Sequence, residues 1–537
     1  MVRVRIEQVV FVAAAVTFAL LATGTLFAAG TSEPEETTFR WATTSDPQTM
    51  DPHAVNAAPT TSFLNNIYEG LVRRNAGMEI EPSLATSWEP LSDTDGWRFT
   101  LRQGVTYHDG QAFTADDVLF SYGRAISDTS DVTSWFAPVS GVRVIDDYTI
   151  DFLTTAPNPL FPDSIANFMI MNREWSEANG AQQPAGEAEN FATRNANGTG
   201  PFYLVSRNPG VETRLAPNPT WWDTVEHNLE VAIYTPIENQ STALSALLSG
   251  DIDMISPVPL QDVERVESQP GFQVLGGLET RVIMLGFGHE KDQLDYSEDL
   301  SGVNPFQDRR VRQAVYQAID VATINQVTMR GRAEPASQLL PQGLSGFSEP
   351  NADRLPYDPE AARQLLSAAG YPDGFSFGLM CPNDRYLNDE QVCRAVTSML
   401  SEVGLNAQLT TMPVRNYWGE LREDNYDMYL LGWSPGTFDA EHPIRFLVTT
   451  PNAEARLGSW NYGGYSNARV DELLPRIQSE LNQAQRQAML DEVAAIVQED
   501  VVYVPLYTQP LIWAMKDTID LVQRPDNFFM LRWVTVN

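Results

Sequence analysis

Residues 97–125 read WRFTLRQGVTYHDGQAFTADDVLFSYGRA, and this stretch combines the signals of a strand, a turn and a helix. Residues 97–101 alternate apolar and polar side chains, which predicts a half-buried strand. We interpret the HDG triplet at 108–110 as a turn rather than an acid–base pair, because adjacency alone does not align two groups on a substrate. Thr114 can cap a helix that has acids in its first turn. Its predicted apolar face consists of Val118, Leu119, Tyr122 and Ala125.

The later part of the chain alternates helical and strand patterns. From about residue 240 onward, apolar residues at helical spacing are followed repeatedly by short apolar runs, for example a helix at 389–403 and a strand at 406–411. This alternation predicts a mixed α/β fold with at least partly parallel sheets. A chain of about 500 residues is too long for one ordinary core, so two or three sub-domains are expected.

The first thirty residues have the layout of a secretory signal peptide. Arg3 and Arg5 precede an apolar run at 9–22, and small residues follow at 28–30. The run is short for a membrane span, which needs about 20 residues, although an uncleaved N-terminal anchor stays open. Residues 31–37 predict a flexible acidic leader. No cysteine lies near the cleavage region, so we expect a periplasmic protein without a lipid anchor.

Charge and cysteine content restrict the classes of function. The formal net charge is −35, which disfavours nucleic acid or an anionic membrane surface as a partner. Cys381 and Cys393 fit no zinc or redox motif, so they either form one disulfide in an oxidising compartment or remain buried free thiols. The five histidines are scattered, and no phosphate-binding or dinucleotide-binding glycine motif occurs. We therefore expect neither a metal site nor a cofactor.

Residues 429–443, YLLGWSPGTFDAEHP, predict a ligand-contacting edge. An apolar strand opens into a Gly/Pro loop that carries Trp433, Asp439 and Glu441. The GWSPG segment within it also fits the nucleophile elbow of hydrolases. In that elbow the residue after the serine donates its N–H to the oxyanion hole, and here that residue is Pro435, which has none. We therefore expect no catalytic residue and no enzymatic activity.

Several blocks together resemble one known family. LATSWE at 84–89 precedes the stretch at 97–125, and further matches follow in order. These are GTGPF at 198–202, GDID at 250–253, RRVRQA at 309–314, AID at 318–320, YDP at 357–359 and AGY at 369–371. The set is similar to the extracellular solute-binding proteins of family five, the peptide-, nickel- and oligosaccharide-type receptors of ABC importers.

The resemblance implies a bilobal fold, like that of periplasmic binding proteins, with an additional inserted domain. Lobe I would take 38–58, 197–280 and 505–537, the inserted domain 59–196, and lobe III 281–504. The implied function is capture of a peptide or small-molecule solute between two closing lobes and delivery to an ABC permease and ATPase complex. A monomer is expected, without a nucleic-acid partner.

The resemblance also implies where a peptide's amino group would bind. In peptide-binding relatives an acid shortly after the Gly-Trp pair takes this group, so here Asp439 would bind it, with Trp433 as a wall. Relatives typically place the acid three positions after the tryptophan, where this chain has Gly436. Asp439 as a solvated loop acid therefore stays open.

For the ligand carboxylate, the CPNDRY segment at 381–386 joins a strand to a helix in lobe III. Arg385 could hold a carboxylate bidentately, unless Asp384 neutralises it, and Tyr386 could stack or donate. Further candidates for the pocket wall are Tyr417, Trp418 and Trp460, each of which could instead belong to the hydrophobic core. An oligosaccharide receptor is the alternative, with tryptophans stacked on sugar faces and with Asn383 and Asp439 bonded to hydroxyls.

Overall fold

The computed structural model describes residues 36–185, 189–297 and 299–537. The predicted signal peptide and most of the acidic leader lie outside these ranges. The strands are β1 Thr38–Thr43, β2 Val72–Arg74, β3 Ile80–Pro82, β4 Ala85–Pro90, β5 Gly96–Leu101, β6 Val139–Asp146, β7 Thr149–Thr154, β8 Phe202–Asn208, β9 Glu212–Pro217, β10 Val231–Pro236, β11 Met254–Ser256, β12 Phe272–Phe287, β13 Glu334–Pro335, β14 Phe375–Pro382, β15 Leu405–Met412, β16 Met428–Trp433, β17 Tyr503–Lys516, β18 Ile519–Asp520 and β19 Thr535–Val536.

Helices occupy much of the remaining chain. They are α1 Ala58–Leu64, α2 Ala115–Ala125, α3 Phe161–Ser164, α4 Arg173–Ala178, α5 Gln240–Ser249, α6 Val263–Glu267, α7 Arg309–Ala318, α8 Val321–Thr323, α9 Pro359–Ala369, α10 Asp389–Ser401, α11 Val414–Arg422, α12 Glu441–Pro443, α13 Ala468–Ser479 and α14 Gln483–Glu499. None of those in the described ranges is long and apolar enough to cross a membrane.

One mixed sheet organises most of the described chain. Ten of its strands follow the order β15-β14-β16-β12-β17-β11-β1-β10-β9-β8, and β13 pairs with β17. β1 runs parallel to β10 and β11, and β14 runs parallel to β15 and β16. The other pairings in the sheet are antiparallel. The prediction of a mixed α/β fold with partly parallel sheets is therefore confirmed.

The two longest strands, β12 and β17, connect both ends of this sheet. Their antiparallel pairing runs from Phe272 to Leu278, is interrupted, and resumes at Val282 with a shifted register. Such an irregularity bends the strand and increases its local twist. Residues 279–281 fall in the interruption, and they line the cavity described below.

The 84–125 stretch belongs to a separate four-stranded sheet, β4-β5-β7-β6, with α2 packed beside it. At the start of α2, the Asp117 carboxylate accepts a hydrogen bond from the Thr114 backbone N–H at 3.0 Å. One position of the predicted apolar face is wrong, since Leu119 is 40% exposed. The buried face instead includes Arg124, which satisfies its charge in a bidentate ion pair with Asp51.

A disulfide connects β14 to α10. Cys381, near the end of β14, is bonded to Cys393 in α10, so the structure contains a disulfide and not two free thiols.

Two buried apolar clusters fill this part of the chain. One includes Val392 and Val396 of α10, and the other includes Leu431 and Trp433 of β16. The boundaries of the lobes and of the inserted domain stay predictions.

Candidate functional site

A cavity of about 1280 Å³ lies beside the register break of β12. Its lining comes from individual residues within 56–167, 279–281 and 434–478, together with Asp526 and Phe528. Small-molecule sites commonly measure about 300–1,000 Å³, so this cavity is large enough for an extended solute. It combines segments that are far apart in the chain.

The loop after β16 forms part of the lining. All six residues of β16 are buried, and Trp433 pairs with Val282 of β12 immediately after the register break. This pairing fixes where the strand ends, so that residues 434–438 line the cavity. The hydroxyls of Ser434 and Thr280 lie 2.7 Å apart and tie the loop to β12. The 429–443 stretch therefore does supply a cavity edge.

Trp433 itself lies behind that edge in an aromatic cluster. It is 8% exposed, and its ring lies 5.4 Å from His442, 5.7 Å from Phe446 and 5.5 Å from Trp460. Trp418 packs on Trp460 at 5.4 Å. His442 and Phe446 line the cavity, whereas the three tryptophans support them from behind. The cluster gives the cavity wall a rigid backing.

Asp439 makes a buried ion pair. Its two carboxylate oxygens lie 2.7 and 2.8 Å from the guanidinium nitrogens of Arg486 in α14. The Ser345 hydroxyl and the Glu441 backbone N–H also donate to it, at 2.7 and 2.8 Å. The side chain is 1% exposed, so the alternative of a solvated loop acid is wrong. Its charge is already compensated inside the protein.

The CPNDRY segment supplies no residue to the described cavity lining, although the Tyr386 ring lies 6.0 Å from the guanidinium carbon of the lining residue Arg281. Arg385 is exposed and its guanidinium carbon lies 5.4 Å from the Tyr386 ring, while Asn383 is also exposed. The Tyr386 hydroxyl accepts a β16 backbone N–H at 2.9 Å, and the Tyr417 hydroxyl donates to a β16 carbonyl at 2.6 Å. The Asp384 carboxylate accepts a hydrogen bond from the first backbone N–H of α11 at 2.6 Å. It does not accept one from Arg385.

None of the eight predicted ligand residues is among the described residues that line this cavity, so their binding roles stay predictions. Among the charged side chains that line the cavity, only Glu441 was named as a candidate from the sequence. The others were missed because isolated arginines and acids in loops carry no periodic signal. Four acids occur in the described lining, and each lies within about 3.2 Å of a guanidinium. The pairs are Asp163–Arg74, Glu279–Arg281, Glu441–Arg445 and Asp526–Arg524.

Arg74 connects the 56–167 part of the lining to the loop after β16. Besides its ion pair at 3.1 Å with Asp163, it donates to the Thr437 carbonyl at 3.2 Å. Its guanidinium carbon also lies 4.5 Å from the Phe438 ring. Burial raises the pKa of Asp163, while the neighbouring Arg74 lowers it. The contact brings residues 56–167 against the loop that follows β16.

His442 is neutral in the folded protein near pH 7. Burial, and then the positive charge of Arg445, lower its pKa from 6.5 to about 3. The unfolded chain therefore binds a proton that the folded chain excludes between about pH 6.5 and pH 3. The contribution of this group to stability is present above pH 6.5 and is lost as the pH falls through that window.

Replacement of His442 by glutamine should reduce the acid sensitivity of the protein. Between pH 6.5 and pH 5, the free energy of unfolding of the native chain should fall by about 1.5 kcal/mol more than that of the variant. Urea unfolding of both proteins at the two pH values measures this difference. Equal losses in the two proteins would show that His442 titrates normally.

Around Ser434, the described residues lack two features of the nucleophile elbow that the GWSPG segment resembles. The hydroxyl that contacts Ser434 is Thr280, and Pro435 offers no N–H to an oxyanion hole. Within the described ranges, no group of three or more His, Cys, Asp or Glu side chains could hold a metal ion. The described lining offers charged, hydrogen-bonding and aromatic side chains.

The chain is similar to bacterial solute-binding proteins of one family. The family model for bacterial extracellular solute-binding proteins, family 5, middle region, matches residues 79–455. Glutathione-binding protein GsiB of Shigella flexneri is 23% identical over 489 residues, covering 88% of this chain and 90% of that protein. Periplasmic murein peptide-binding protein MppA of Escherichia coli is 25% identical over 488 residues, covering 86% of each.

Among solved structures, HbpA2 from Haemophilus parasuis matches with a TM-score of 0.81 at 21% identity. The match covers 93% of this chain and 100% of that one. The fold is thus that of the family's periplasmic binding proteins, as the resemblance implied. With a family model that covers most of its length, the chain belongs to the bacterial extracellular solute-binding proteins of family 5.

Proposed function

We propose that this protein is the extracytoplasmic receptor of an ABC importer, and that it captures a peptide or similar small polar solute. The observation that carries the proposal is the large cavity beside the register break of β12, lined by paired charges and aromatic side chains. Relatives named as glutathione-binding and murein peptide-binding support a peptide-like solute. In this proposal the protein is exported as a monomer and delivers its ligand to a membrane permease.

Capture requires that two parts of the chain close around the solute. The break at residues 279–281 interrupts the two strands that connect both ends of the sheet, so it is the natural bending point. Closure excludes water, and buried ligand charges then need fixed partners because an unpaired buried charge is costly. The Arg74 contacts with Thr437 and Phe438 would form and break with this movement.

A thermal-shift panel tests the class of ligand. We expect dipeptides, tripeptides or glutathione to raise the unfolding temperature, because a ligand at 100 times its dissociation constant adds about 2.7 kcal/mol of stability. Cello- and xylo-oligosaccharides are tested in the same assay, because they represent the alternative class of ligand. A shift with sugars alone would favour the oligosaccharide receptor and reject the peptide receptor. Ester or peptide turnover that Ser434→Ala abolishes would instead establish a hydrolase.

A further inference from the structure

The charges of the cavity leave one cation without a partner. Among the described lining residues, the guanidinium of Arg456 makes no ion pair or hydrogen bond, and the side chain is exposed. Every acid in that lining already faces an arginine, as described above. A solute that enters therefore meets an uncompensated positive charge but no uncompensated carboxylate.

A second lining arginine, Arg445, lies on a segment that is hydrogen-bonded to the loop of Arg456. The Gly458 backbone N–H donates to the Arg445 carbonyl at 2.9 Å, so the loop that carries Arg456 is bonded to the segment that carries Arg445. Arg445 is 34% exposed, and its Nε lies 3.1 Å from a Glu441 oxygen. The Glu441 carboxylate accepts its hydrogen bond from the Gln478 side-chain amide at 2.7 Å, so Arg445 is its ion-pair partner without being its hydrogen-bond donor. The terminal nitrogens of Arg445 make no hydrogen bond to any described residue.

The backbone holds this part of the wall in an uncommon conformation. Arg456 has φ 55°, and Phe438, which also lines the cavity, has φ 57°. Non-glycine residues in the left-handed region are uncommon, and they concentrate at ligand-contacting sites where the surrounding structure fixes them. The Asn452 and Leu457 backbones pair and fix the Arg456 loop.

We propose that the ligand binds through a carboxylate held by Arg456, with Arg445 beside it, and that a free ammonium group is not required. The proposal rests on the receptor function above and specifies its ligand as an anionic peptide or peptide-like acid. Guanidinium groups hold carboxylates through paired, charge-assisted hydrogen bonds. An ammonium group would have to displace an arginine from one of the paired acids, whereas a blocked amine would not.

Three tripeptide libraries of identical composition test the proposal: unmodified, N-acetylated and C-amidated. Thermal shift identifies binders, and titration calorimetry gives dissociation constants for the best sequence in all three forms. We expect the acetylated form to bind about as tightly as the free form, and the amidated form to bind about tenfold or more weakly. Arg456→Gln should weaken the two carboxylate forms to a similar extent and leave the amide unchanged.

Arg415→Gln is the matched control, because Arg415 is exposed on α11 and does not line the cavity. It should alter neither affinity nor unfolding temperature. If acetylation abolishes binding, or if Arg456→Gln binds the free peptide normally, the carboxylate proposal is rejected and the receptor function stands. If neither the libraries nor glutathione bind the native chain, the peptide-receptor function and this proposal both fail.

Discussion

Replacement of Asp439 by alanine is expected to lower the free energy of unfolding by about 3–5 kcal/mol. The change leaves the Arg486 guanidinium buried, at 7% exposure, without its counter-charge. It also removes the acceptor for the Ser345 hydroxyl and for the Glu441 N–H. Denaturant unfolding of the purified variant measures the loss. Asp93→Ala, at an exposed acid, is the control and should change stability by about 0.5 kcal/mol or less.

A second variant separates the buried charge from the lost contacts. Asp439→Ala combined with Arg486→Met removes both charges, and should recover part of the stability that the single change loses. The sequence-based prediction, in which Asp439 binds a ligand amine, leads to a different result. In that case Asp439→Ala would abolish ligand binding while its unfolding midpoint stayed close to that of the native chain.

Local patterns were sufficient to predict the elements around the site. The apolar run before Gly432 predicted β16, and the Gly/Pro loop after it does line the cavity. The alternation of helical and strand patterns after about residue 240 predicted the mixed fold, and the family blocks implied the fold of periplasmic binding proteins. The error at Leu119 arises because the buried face of α2 includes the polar residues Ser121 and Arg124. A hydrophobic pattern does not count such residues, so it placed the buried face too far toward Leu119.

The partners of the charged residues could not be predicted in this way. Asp439 and Arg486 are 47 positions apart, and no sequence pattern indicates that α14 meets the loop after β16. The same holds for Arg74 and Thr437, which are 363 positions apart. Arg456 lies in a polar loop that resembles any surface loop in sequence. Whether an acid or an arginine is free to bind a ligand depends on these long-range partners.

Replacement of Gly436 by tryptophan should abolish ligand binding without unfolding the protein. Gly436 is exposed in the cavity lining, and a side chain there would start 3.2 Å from the His442 ring. The indole would therefore displace His442 slightly and occupy space that the solute needs. We expect the affinity to fall by at least about 100-fold. Gly123→Trp is the matched control, since Gly123 is exposed on α2 with open space around it.

The most direct test of a solute site beside the β12 register break is titration calorimetry on these three proteins. The titrant is glutathione or the tripeptide that gives the largest thermal shift. We predict binding to the native chain and to Gly123→Trp, and loss of binding to Gly436→Trp at an unchanged fold. Normal affinity of Gly436→Trp would contradict the account, because the ligand would then bind outside this cavity.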